Sequence, residues 1–132
     1  MKNKTFLFFA AVMFLFTVDS CQHHYPVSLV EADSLAYSNP KAALQKLDSL
    51  SLCLDTTQKA DVMYLRLLKM TAKDKLYMSF GTLDSVQSLA KYYEEEGDKH
   101  LLPRAYYMLG RRLCDMHDVP QAFTYYLSLI HI

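Results

Sequence analysis

A cysteine and two histidines stand within four residues in the stretch CQHH, Cys21 to His24. Thiolate and imidazole are the ligands zinc prefers, but a structural site needs four of them held at fixed positions. This cluster supplies three at most, on a short polar stretch, so no metal centre is expected. Asp115, His117 and Asp118 form a second candidate, since a carboxylate beside an imidazole is the pairing used for general-base work. No serine or cysteine stands in a nucleophile-elbow context, and no glycine-rich phosphate loop is present. A turn between two helices accounts for the three residues, with Asp118 as its cap. Glu94 to Glu96 is a charge run at a helix end, which reads as a solvated face. The chain is therefore expected to be non-catalytic, with no cofactor and no small-molecule substrate.

Cys21 has a different explanation. Lys2 and Lys4 precede an uncharged apolar run from Phe6 to Val18. That run is shorter than the roughly 20 residues a membrane-spanning helix needs, and it has the layout of an export signal over residues 1–20. It ends VDSC, Val18 to Cys21, which resembles the lipobox of bacterial lipoproteins, with Asp19 departing from the pattern. The resemblance implies acylation of Cys21 and a membrane lipoprotein facing the periplasm, each buried methylene adding about 0.8 kcal/mol of anchoring. Ordinary cleavage before Cys21, giving a soluble periplasmic protein, is the alternative. Residues 21–27 then read as a tether.

From Cys21 onward the chain has 12 basic and 13 acidic residues and enough length for one modest core. That balance does not suggest nucleic acid as a partner. Cys53 and Cys114 are the other cysteines, too few for a disulfide framework. With a helical hairpin between them they are expected to lie beyond the roughly 7 Å between α-carbons that a bridge allows, and so to remain free.

From Val27 the apolar spacing is helical, with no alternating run for a strand. Asn39-Pro40, Gly81-Thr82, Gly97-Asp98 and Asp118 with Gln121 are boundary signals: caps, a proline at the first helical position, and Gly97 as a C′ residue. They predict an all-α chain with helices over about 28–38, 40–51, 57–72, 82–96, 99–116 and 118–131. Short links predict antiparallel hairpins, and the loop KDKLYMSFG, residues 73–81, is expected to pack back onto them.

Gly110 lies inside a predicted helix, where glycine costs about 1 kcal/mol relative to alanine. Twelve residues later comes Ala122, so two small residues are expected to face each other across a tight turn, flanked by Tyr106 and Tyr126. The stretch Ala105 to Ile130, with Tyr106, Leu109-Gly110, Leu113, Ala122, Tyr126 and Leu129, resembles a tetratricopeptide repeat. His117 stands where that turn usually has glycine, and Leu129 replaces a small residue. Tyr64, Leu67, Leu68, Val86, Ala90 and Tyr93 repeat the spacing more loosely, as do Ala32, Leu35, Ala43, Leu47 and Leu50. The resemblance implies a short right-handed solenoid of antiparallel hairpins over 28–132, its best repeat at 103–131. It also implies a concave groove that binds a protein or peptide. Groove positions carried over are Arg104, Tyr107, Arg111, Cys114 and Asp115, with Leu65, Lys69 and Lys73 from the looser middle match. Lys69, Lys73 and Arg111 would form a basic stripe suited to an acidic or carboxylate-bearing peptide. Exported relatives of this kind include lipoproteins and the sensor halves of regulators that continue through a membrane helix into a DNA-binding domain. The chain stops at SLIHI inside its last helix, which leaves a longer protein, a covering partner or a non-native end as readings.

Overall fold

A computed structural model describes residues 23–130, and its regular structure is entirely helical. The export signal and the acylation at Cys21 fall outside the described residues. The helices are α1 (Val27–Ser38), α2 (Pro40–Cys53), α3 (Lys59–Lys75), α4 (Leu83–Glu95), α5 (Leu102–Asp115) and α6 (Val119–Ser128).

Three helix starts follow from side chains that satisfy orphan amides. Asn39 Oδ1 accepts from the Ala42 amide at 3.1 Å, Thr82 Oγ1 from Ser85 at 3.3 Å, and Asp118 Oδ1 from Gln121 at 3.2 Å. The start of α5 differs from expectation. Asp98 caps only a turn, its carboxylate accepting from the His100 amide at 3.0 Å, and the helix begins at Leu102 with Pro103 in its first turn. A helix begun at Lys99 would need residue 103 to donate to the Lys99 carbonyl, and proline has no hydrogen to give.

The ends of α3 and α5 are alike. Tyr77 and His117 both take the left-handed conformation, with φ of 55° and 63°. One residue on, the Met78 amide donates to the Lys73 carbonyl and the Asp118 amide to that of Leu113, each at 2.9 Å. Both are Schellman closures built without glycine. Gly97, by contrast, does not take the positive φ a C′ glycine would. Its missing side chain makes room for two rings: a Cβ there would lie 2.6 Å from Tyr93 and 2.7 Å from Tyr92.

α1, α2 and α3 come together through small residues, Ala36, Ala43 and Ala72, and through Leu29, Leu47 and Leu68, all fully buried. The other face of α3 joins a second cluster: Met63, Leu67 and Met70 with Val86, Leu89 and Tyr93 of α4 and Met108, Leu109 and Leu113 of α5. α3 is thus packed on two sides, and burying each of its leucines contributes on the order of 2 kcal/mol. Consecutive helices touch, and α3 also meets both α1 and α5. The loop after α3 does fold back, seating Phe80 in the second cluster. It is shorter than expected, because α3 runs on to Lys75.

At Gly110 the nearest neighbour is Tyr126, where Ala122 was expected. A Cβ on Gly110 would stand 2.5 Å from one ring carbon of Tyr126 and 2.9 Å from two others. Ala122 is buried in the same cluster as Leu109, and Tyr106 pairs with Tyr125 at 5.6 Å. The glycine leaves room for the Tyr126 ring.

Candidate functional site

The side chains with unusual environments gather where α1, α3 and α5 meet. Asp33 projects from α1 at the same helical spacing as Leu29 and Tyr37, so it enters the interior from a largely apolar face. Its Oδ2 accepts from the Tyr64 hydroxyl of α3 at 2.6 Å and from Arg104 Nη1 of α5 at 2.9 Å. One carboxylate oxygen therefore ties three helices together. Burial works against the Arg104 charge, but the hydrogen bond and field of Asp33 outweigh it and hold the guanidinium above its ordinary range. Burial, then the Asp33 bond, pushes the Tyr64 hydroxyl well up from its ordinary value near 10.

Above this knot lies a cleft of about 390 Å³ with largely apolar walls. α1 contributes Tyr37, α3 contributes Thr71, Asp74 and Lys75, and α5 contributes Pro103, Arg104, Tyr107 and Met108. These are neighbouring turns of each helix, which is why they share one opening. Two cations approach the Tyr37 ring, with Lys75 Nζ and Arg104 Cζ each 5.5 Å from its centroid. At the cleft's edge Arg111 Nε donates to Asp74 at 3.1 Å, and Asp115 lies 3.8 Å from its Nη2. That bond with Asp74 is the largest influence on Arg111 and holds its charge firmly.

Of the groove residues carried over from the resemblance, Arg104 and Tyr107 line this cleft and Arg111 borders it. Lys69 does not. It crosses to α2, with its ammonium 2.8 Å from Asp48 and donating to Ser51 Oγ at 3.1 Å. Lys73 is half-buried outside the lining, and Leu65 is buried with Leu29 and Leu47. No continuous basic stripe of Lys69, Lys73 and Arg111 is formed. Cys114 is half-buried beside the Tyr126 hydroxyl at 3.8 Å, Cys53 is exposed, and both are free thiols. Sequence reasoning missed Asp33, Tyr37 and Lys75. An acidic residue spaced with the apolar positions of α1 was the available signal for the first.

The remaining sequence candidates have local roles. His117 holds the left-handed end of α5 and Asp118 caps α6, so with Asp115 they describe a turn. Glu96 pairs with Lys59 at 2.7 Å on the surface. His23 does not hang free on a tether. Its Nε2 is 2.6 Å from Oδ1 of the buried Asp61, and Tyr25 packs on Tyr64 at 4.3 Å between centroids. Among the described residues no group of three His, Cys, Asp or Glu is placed to hold a metal. None of the described helices is long and apolar enough to cross a membrane. Comparison of the chain with protein-family models, with curated proteins and with solved structures gives no match.

Proposed function

We propose that this chain is a non-catalytic adaptor of tetratricopeptide type, which binds a protein or peptide segment in the cleft between α1, α3 and α5. The observation that carries the reading is the cleft itself. It is built jointly by the first helices of three successive hairpins, the arrangement a stacked helical repeat produces on its concave side. The matching turns after α3 and α5 support a repeated unit, and so does the contact of α3 with both α1 and α5. Apolar walls with a few fixed polar groups suit a peptide side chain. Acylation at Cys21 would hold the adaptor at a membrane surface, facing the periplasm, with His23 and Tyr25 docking the first residues after the anchor onto the body.

Two measurements test this. A photoreactive residue at Tyr107 should crosslink to a partner in intact cells, and one at Gln45, exposed on α2 away from the cleft, should not. Equal crosslinking at both positions would remove the cleft from the proposal. Separately, the wild type should fractionate with membranes and take up labelled fatty acid, and Cys21→Ala should abolish both. A wild-type protein found soluble in the periplasm would mean ordinary cleavage.

A further inference from the structure

α6 has two apolar faces. Ala122, Tyr125 and Tyr126 turn inward and pack into the second core cluster with α5. Val119, Phe123, Leu127 and Ile130 lie on a different side, within about 80° of one another around the helix axis, and each is between 43% and 74% exposed. The turn after the helix keeps Ile130 in line, its amide donating to the Leu127 carbonyl at 3.1 Å. Polar residues are confined to a narrow strip of Gln121, Thr124 and Ser128, and the last two hydroxyls bond back to carbonyls of their own helix. A surface helix ordinarily turns charged residues to solvent. α6, alone of the described helices, contains no Asp, Glu, Lys or Arg. A stripe that is apolar, exposed and without charge has the composition of an interface centre.

We infer that this stripe pairs with the same stripe of a second copy of the chain, the two α6 helices running antiparallel about a two-fold axis at Phe123. A two-fold interface sets a patch against itself, so a charged stripe would repel its own copy and this neutral one does not. With the flanking Pro120, and Met116 in the turn ahead of the helix, the stripe exposes on the order of 500 Å² per copy, which brings the joint area to about the 1,000 Å² of the smaller specific interfaces. The direction follows from the acids at the start of α6. Parallel helices would hold the two Asp118 carboxylates side by side, at the roughly 8–10 Å between packed axes, with the exposed Asp115 adding like charge. Antiparallel pairing moves them about 15 Å apart along the axis and sets opposite helix ends together, which the helix dipoles favour. In this register Phe123 meets Phe123 at the axis, and Val119 meets Leu127 of the second copy. None of the stripe residues lines the cleft between α1, α3 and α5, so the dimer presents two such clefts.

The test is sedimentation equilibrium on the full chain, with circular dichroism confirming that each variant is folded. The wild type is expected to dimerise with a dissociation constant in the micromolar range, as suits an interface of this size. Phe123→Glu, which puts two like charges at the axis, should weaken the dimer at least tenfold. Gln121→Glu adds the same charge on the polar strip and should leave the dimer unchanged. Val119→Lys and Leu127→Glu should each weaken it, and the double variant should restore it, because each lysine then faces a glutamate. All four side chains are exposed, so the substitutions spare the fold. A monomeric wild type would overturn the inference, and so would Phe123→Glu dimerising as tightly as the wild type. A double variant weaker than both single ones would overturn the antiparallel pairing, since parallel helices set lysine against lysine.

Discussion

Gly110 offers a test in which the sign of an effect depends on one neighbour. Adding a methyl group at a glycine in a helix interior stabilises by up to about 1 kcal/mol through propensity alone. In this fold the new Cβ would stand 2.5 to 2.9 Å from three ring atoms of Tyr126, closer than carbon atoms tolerate. The ring must therefore shift, away from its contact with Cys114 at 3.8 Å and its place against the second core cluster. Overpacking of this kind costs about 1–3 kcal/mol, so Gly110→Ala is expected to destabilise by about 1 kcal/mol net. In a Tyr126→Ala background the obstruction is gone, and the same substitution should stabilise by up to about 1 kcal/mol. The assay is a double-mutant cycle from urea unfolding followed by circular dichroism, with a coupling of about 2 kcal/mol expected. If Gly110→Ala changes stability by the same amount in both backgrounds, the glycine is not there for the ring, and the packing account of this hairpin fails.

Other expectations follow from single sites. Tyr77→Gly and His117→Gly should each stabilise by about 0.5–1 kcal/mol in urea unfolding, because a left-handed non-glycine residue is strained and both side chains are exposed. Asp33→Asn should destabilise by about 2 kcal/mol, since it removes the charge that Arg104 and Tyr64 share; the pair is partly exposed, which keeps the loss below the fully buried range. The fold should also be labile in base. Burial pushes Tyr25 up to about 12 and Tyr106 likewise to about 12, and it raises Tyr64, Tyr93 and Tyr126 further. A tyrosine held neutral in the folded state gives stability that is complete below pH 10, its unfolded value, and lost as pH rises through the folded one. Ionisation of these five rings, followed ring by ring by NMR, should therefore coincide with loss of helix as pH rises from 10 to 12. Their gradual ionisation in a still-folded protein would refute this.

The helices were legible because their signals are local. Asn39, Thr82 and Asp118 each carry an oxygen that reaches an amide three residues on, so the sequence position and the structural role coincide. Where local signals competed, the weaker one had been read. Asp98 is a good cap and does cap a turn, but Pro103 forbids the hydrogen bond that a helix from Lys99 would need. Gly97 follows a helix and so resembles a C′ glycine. What fixes it is the pair of rings at Tyr92 and Tyr93, five and four residues back, whose turn toward Gly97 the residue letters alone do not display.

The cleft was half legible for a geometrical reason. In the last hairpin a strong apolar stripe fixes the rotation of α5, so Arg104 and Tyr107 could be placed on its open side. α3 has no such stripe, because it is buried against α1 and α2 on one side and against α4 and α5 on the other. Its open strip is narrow, running through Thr71, Asp74 and Lys75. At about 100° per residue, Lys69 points roughly 120° away from Lys75, which is enough to send it to Asp48 of α2 instead of into the cleft. The residue that organises the site, Asp33, was missed for the opposite reason. Nothing near it in sequence needs a carboxylate; its partners are 31 and 71 residues away. A half-buried acid at apolar spacing is costly unless distant donors reach it. Such a residue in an otherwise apolar helix face therefore marks the place where other helices converge, and here that place is the floor of the cleft.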